Sequence, residues 1–233
     1  MTTANAYPTS QTIRTIGILG GGQLGMMLAE AALPLGYQCV FLEDNAACPA
    51  SLYGTVYHSE QLEDFIAAAD VFTLEFENTP AQTVQKLANL AKSGKNKGMF
   101  PPPIALDVAQ DRLKEKQMFN ELDIATVPFR AVHSLAELQQ ACQDLGLPIV
   151  LKTSRGGYDG KGQYKIHSTK DLKNENINFN NGYILEKLVK LKKEISIIIT
   201  RFSNKNYEIY EPIENVHENQ ILKYSTIPAD ISD

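Results

Sequence analysis

The sequence predicts an α/β protein: a doubly wound parallel sheet at the N-terminus, followed by a second domain of α+β type. Three observations predict it. An apolar run, a glycine turn, a helical segment and a second apolar run follow one another in about 30 residues, the βαβ signature. Strand and helix signals go on alternating up to a polar, proline-stiffened stretch. Beyond residue 149 the strand signals lie close together, and a glycine-rich segment between two of them reads as a hairpin tip.

In chain order, residues 1–12 read as a disordered tail. Thr15–Leu19 is a short apolar, β-branched run and reads as a buried strand. It meets Gly20-Gly-Gly-Gln-Leu-Gly25, and Met26–Leu33 reads as the following helix, stopped at Pro34–Gly36. Gln38–Leu42 is the next strand, ending at Glu43-Asp44. Gln61–Ala69 reads as a helix and Val71–Phe76 as a strand that delivers Glu77 at its C-terminal end. Pro80–Ala91 is helical, the segment 92–98 is a polar loop, and Pro101-Pro-Pro103 stiffens the exit. Ile104–Leu122 reads as one charged amphipathic helix. Ser134–Leu145 is another, with Ser134 as N-cap and Glu137 at the capping-box position. Ile149–Lys152 and Gln163–Ile166 are strands around the glycine stretch. Tyr183–Glu186 and Glu194–Thr200 are strands, and Tyr207–Pro212 pairs with the latter. Glu214–Asp233 carries little apolar pattern.

Composition bounds the function. The chain has 233 residues, 43% hydrophobic and 21% charged, with a formal charge of −5. That is globular composition without a basic field, so wholesale nucleic-acid binding is disfavoured. No window reaches the ~18 apolar residues of a membrane span, and the N-terminus lacks a signal-peptide pattern. Cys39, Cys48 and Cys142 are odd in number and scattered, which argues for reduced thiols in the cytoplasm and against disulfides or zinc.

Two glycine segments carry chemistry. Gly20-Gly-Gly22-Gln-Leu-Gly25 satisfies GxGxxG between a strand and a helix, with Glu43 about 20 residues on, the context of a dinucleotide fingerprint. Other anions and plain packing use the same turn, so an NAD-dependent oxidoreductase is one reading and a ligand-free turn another. The second segment follows Lys152 and holds Arg155, Gly156, Gly157, Asp159, Gly160, Lys161 and Gly162. It is longer and more basic than a hairpin turn requires. Its backbone N–H groups can close over phosphates, with Lys152 fixed beneath on a strand. Glu186-Lys-Leu-Val189 can offer backbone groups to an adenine edge, and Glu194 a carboxylate to ribose hydroxyls, although a plain strand end explains each by itself. Arg112 and His217 read alone as a solvated charge and a structural histidine.

Taken together, Lys152, the glycine flap, Glu186–Val189 and Glu194 resemble an ATP-grasp enzyme. The finer resemblance is to the 5-(carboxyamino)imidazole ribonucleotide synthase family. It rests on Ile18-Leu-Gly-Gly-Gly-Gln-Leu-Gly25, Glu75-Phe-Glu-Asn78, Asp111-Arg-Leu113 with Lys116-Gln117, Gly156-Gly-Tyr-Asp-Gly-Lys-Gly-Gln163 and Glu214-Asn-Val-His217. The resemblance implies a pre-ATP-grasp domain over 13–108, an ATP-grasp lid over 109–185 and the start of the ATP-grasp core over 186–233. It implies a ligase that carboxylates aminoimidazole ribonucleotide with bicarbonate and ATP, through carboxyphosphate. It assigns ATP contacts to Arg112, Lys152, Gly157, Tyr158, Asp159, Gly160, Lys161, Gly162, Gln163, Glu186, Lys187, Leu188, Val189, Glu194 and His217. It assigns substrate contacts to Tyr158, Asp159, Lys161, Gln23, Leu24 and Glu77, and catalytic work to Lys152, Asp159 and Lys161.

The resemblance also implies Mg²⁺, held by an acidic pair on late strands. After His217 the only acids are Glu218, Asp230 and Asp233. The expectation is therefore a chain truncated at its C-terminus, with impaired activity, its metal ligands in the missing part and a homodimer when full length. A formate-dependent glycinamide ribonucleotide ligase and a non-catalytic nucleotide-binding fragment are the alternatives.

Overall fold

The computed structural model describes residues 14–77, 79–92, 98–157, 162–171, 177–202, 206–219 and 221–231. The chain divides into two compact units, Met1–Met118 and Phe119–Asp233. Each is taken by itself.

The first unit is built on β1 (Thr15–Leu19), β2 (Gln38–Leu42), β3 (Gly54–Tyr57) and β4 (Val71–Leu74), all parallel, in the order β3-β2-β1-β4. The helices are α1 (Gln23–Ala32), α2 (Leu62–Ala68), α3 (Ala81–Lys92) and α4 (Pro103–Ala109), and the division between the units falls within α5 (Arg112–Glu121). Strand residues alternate between two cores, as side chains on a pleated strand must. Ile18, Cys39 and Phe41 pack with Ala29 and Ala32 of α1, while Leu19, Val40 and Phe72 pack with Phe65, Leu87 and Leu106. Both faces are thus covered, the condition under which a parallel sheet persists. The chain winds outward from β1 to β3 and then crosses to β4 on the other side of β1. The strand order therefore reverses between β1 and β4, where such sheets place ligands at the C-terminal ends of the strands.

The second unit carries β5 (Phe129–Val132), α6 (Leu135–Leu145), β6 (Ile149–Thr153), β7 (Gln163–Ile166) and β8 (Tyr183–Lys187). Its main sheet is antiparallel, in the order β5-β8-β6-β7. Helix α6 covers one face through Leu138, Ala141 and Cys142, against Ile149, Leu151 and Leu185. Ser134 caps α6 as expected, its Oγ accepting from Glu137 N at 3.2 Å. The reciprocal bond differs from a capping box: Glu137 Oε2 accepts from His133 N at 2.8 Å, one residue earlier than the box prescribes. Downstream, β9 (Glu194–Ser196) pairs with β12 (Ile213–Glu218), which forms a hairpin with β13 (Ile221–Thr226). Strands β10 (Ile199–Arg201) and β11 (Tyr207–Ile209) make a separate antiparallel pair.

Three expectations are corrected. The helix read over 104–122 is two helices, interrupted at Gln110-Asp111, where Asp111 Oδ1 accepts from Leu113 N at 3.0 Å and so starts α5. The strand read over 194–200 is two strands in different sheets. The stretch from Glu214 onward, read as poor in pattern, forms a hairpin whose second strand is exposed throughout.

The three cysteines are free and buried, and burial pushes the Cys39 and Cys142 thiols up from their ordinary value. Since the thiolate is the reacting species, both are expected to resist iodoacetamide at neutral pH in the folded protein and to label fully in denaturant. Mass spectrometry of native and unfolded samples checks this.

Candidate functional site

In the second unit the site begins on the sheet face opposite α6. Leu151 and Leu185 point into the α6 core, so Lys152 and Glu186, one residue on in each strand, project from the other face. The register pairs Val150 with Glu186 and Lys152 with Ile184, which makes the two charged residues diagonal neighbours. Lys152 Nζ lies 2.6 Å from Glu186 Oε2. Glu186 is only 6% exposed, and its flanking neighbours Val150 and Ile184 are buried. A carboxylate so far out of water needs a cation, and Lys152 supplies one.

The base of the glycine flap is paired onto the same strands: Lys152 faces Gln163, and Thr153 N donates to Gly162 O at 2.9 Å. Gly162 and Gln163 thus stand beside the end of β6, and Gly157 follows it in sequence by four residues. Tyr158, Asp159, Gly160 and Lys161 lie outside the described residues.

The segment after Glu186 is more engaged than its sequence suggests. Lys187 N donates to Pro128 O at 3.0 Å, and Leu188 N to Pro148 O at 3.1 Å. Lys187 Nζ is held by the Gly146 and Leu147 carbonyls at 2.9 and 3.2 Å. Val189 is exposed. Glu194 and His217, far apart in sequence, meet across the β9–β12 pair: Asn215 is opposite Glu194, and His217 Nδ1 comes within 3.3 Å of Glu194 Oε1.

In the first unit the glycine turn lies where the strand order reverses, and its Gly21, Gly22 and Gly25 N–H groups are in use. Glu75, just past β4, sends Oε1 to Gly22 N at 2.9 Å and Oε2 to Gly25 N. Glu43, just past β2, accepts from Gly21 N at 3.2 Å and Asn45 N at 3.1 Å. Close by in sequence, Ser59 N donates to Asp44 Oδ1 at 2.8 Å and holds that carboxyl below its usual range. Gln23 and Leu24 open α1 with exposed side chains, and Glu77 is exposed beyond β4, its carbonyl accepting from Gln110 Nε2. Arg112 is the first residue of α5. Asn78 lies outside the described residues.

The sequence reading passed over Glu75 in favour of Glu77. The signal was the strand end itself: in Glu75-Phe76-Glu77 only the first acid is near enough to β4 to turn back onto the β1 loop. Among the described residues no three His, Cys, Asp or Glu side chains gather as a metal-holding group, and no helix there is long and apolar enough to cross a membrane.

A lysine on a strand that leads into a glycine-rich segment, beside a second strand of the same antiparallel sheet, is compatible with the ATP-grasp fold, and the family models match that fold. Residues 117–233, half of the chain, match the ATP-grasp domain, and residues 13–110 match the ribonucleotide synthetase preATP-grasp domain. The chain belongs to the ATP-grasp family. Within it, the particular likeness is to N5-carboxyaminoimidazole ribonucleotide synthases. That of Brucella melitensis is 42% identical over 94% of this chain and 61% of its own length. That of Pseudomonas aeruginosa is 39% identical over 90% of this chain and 58% of its own. The solved Staphylococcus aureus enzyme complexed with ADP superposes with a TM-score of 0.87 at 34% identity, covering 97% of this chain and 62% of that one. The chain thus spans about three-fifths of the length of these relatives.

Proposed function

We propose that this chain is part of an ATP-dependent ligase that carboxylates 5-aminoimidazole ribonucleotide with bicarbonate. In the first step a bicarbonate oxygen attacks the γ-phosphorus of ATP, giving carboxyphosphate and ADP. In the second the substrate's amino nitrogen attacks the carboxyl carbon, a C–N bond forms, and phosphate leaves. The observation that carries this reading is the likeness to an ADP-bound synthase over nearly the whole chain.

Lys152 is the residue for the ATP phosphates, with Arg112, the Gly157–Gln163 flap, Glu186–Val189, Glu194 and His217 for the rest of the nucleotide. Tyr158, Asp159 and Lys161 on the flap, with Gln23, Leu24 and Glu77, face the ribonucleotide. Acyl phosphates are short-lived in water, which is the reason for a flap that closes. Lys161 brings a cation to the transfer without the bidentate fork of an arginine. Phosphoryl transfer employs Mg²⁺, and this reading assigns it no ligand among the described residues, where no three His, Cys, Asp or Glu side chains gather. Free, buried thiols suit the cytoplasm.

The test is ADP release from ATP, bicarbonate and aminoimidazole ribonucleotide, with each omitted in turn. Weak release that needs all three is expected, in keeping with the impaired activity that the resemblance implies. Release with formate and glycinamide ribonucleotide instead would move the chain to the related ligase, and ADP binding without any turnover would make it a nucleotide-binding module.

A further inference from the structure

We propose that Lys187 is a positioning residue of the segment Glu186–Val189: its ammonium closes the C-terminal end of α6, ties the segment to that helix end, and takes no part in holding phosphate. This role rests on the nucleotide reading of the segment. Successive residues of a strand point to opposite faces of its sheet. Leu185 packs into the α6 core, and so does Ile149, the cross-strand partner of Lys187. Lys187 therefore lies on the α6 face, whereas Lys152 and Glu186 pair on the other. The two lysines stand on opposite sides of one sheet, and only Lys152 is on the side of the Glu186 carboxylate.

Helix α6 explains what the second ammonium does. The last four carbonyls of a helix lack partners within it, and the dipole makes that end negative. α6 has no basic residue in its last turn and carries Asp144 there. Gly146 ends the helix at φ +66. Its carbonyl and that of Leu147 both accept from Lys187 Nζ, at 2.9 and 3.2 Å. The positive charge that the helix lacks thus arrives from β8. The same turn holds the segment a second time, since Pro148 O accepts from Leu188 N at 3.1 Å. Pro128 holds it a third time, its carbonyl accepting from Lys187 N at 3.0 Å. For the ammonium to reach a phosphate on the Lys152 face, it would have to break both carbonyl bonds and cross the sheet. Where it stands, Lys187 sets the course of Leu188 and Val189, whose backbone groups the nucleotide reading employs.

ADP and adenosine titrated into ¹⁵N-labelled protein separate positioning from phosphate contact, because adenosine has the base and ribose of ADP without its phosphates. In Lys187→Met both ligands should bind more weakly, each by roughly five-fold, so that the ratio of their affinities stays at the wild-type value. Lys187→Arg keeps the charge and the donors, and should bring both affinities back. With no nucleotide present, amide exchange at Leu188 should rise in Lys187→Met by more than at Leu151 and Leu185, which report the sheet core. Lys187→Gln keeps a donor and loses the charge; read in the same way, it decides the matter if the methionine variant does not fold. A variant that loses affinity for ADP alone would make Lys187 a phosphate ligand and overturn the proposal. Unchanged affinities for both ligands, or a Leu188 amide that exchanges no faster than the core, would overturn it too. A wild-type chain that binds neither ligand would remove the nucleotide reading, and this role with it.

Discussion

Lys152→Met is expected to abolish ADP binding and to destabilise the second unit by about 2–3 kcal/mol. On the proposed reading, the loss of binding follows from removing the cation assigned to the nucleotide phosphates. The loss of stability has a separate cause. Glu186 is 6% exposed, and its carboxylate would be left without the ammonium now 2.6 Å away. Stranding a buried charge costs roughly 3–5 kcal/mol, lowered here because the Lys152 side chain keeps 26% of its surface in water. Urea unfolding followed by tyrosine fluorescence measures it; the chain has no tryptophan. Because the charges cost more apart than together, the double variant Lys152→Met/Glu186→Leu should recover most of the stability and none of the ADP binding. A single variant as stable as the wild type would show that the pair does not govern this face.

Gly20→Ala is the second large effect, expected at about 2–4 kcal/mol in the first unit. Gly20 has φ +101, a region closed to side chains, and the new Cβ would overlap Glu75. The carboxylate would be pushed off Gly22 and Gly25, and α1 would lose the charge at its N-terminus. Thermal unfolding gives the magnitude. Amide exchange at Gly22 and Gly25 that rises by more than at Val40 and Phe41, which report the global loss, would place the damage at the turn; an equal rise at all four would contradict it.

Much of the fold was legible. Strands β1, β2, β4, β6 and β8 are short, mainly apolar runs, β7 follows directly on the glycine stretch, and the βαβ spacing demands parallel pairing in the first unit. The elements that were not legible share a reason. Strand β3 is an edge strand of four residues, and β5 is an edge strand with a single buried residue, Val132, so neither carries a strong apolar signal. Strand β13 buries none of its residues and is defined by its backbone pairing with β12. A hint was present in Asn219, which takes φ +52 at the turn, a conformation asparagine tolerates. The division of 104–122 turned on Asp111 bonding its own chain two residues on, a competition that helical periodicity does not register.

The candidate site divides along the same line. The sequence by itself determined that a lysine ends a buried strand before a basic glycine flap, that a glycine turn joins β1 to α1, and that both belong to an ATP-grasp chain. Those features are local: a handful of consecutive residues specifies each. Only the tertiary structure decided the partners. It placed Glu186 against Lys152 and His217 against Glu194, and it put Glu75 on the glycine turn. The reason is that these contacts depend on strand order and register. β4 lies beside β1 although β2 and β3 come between them in sequence, and a register slip of one residue would turn Glu186 to the opposite face of its sheet.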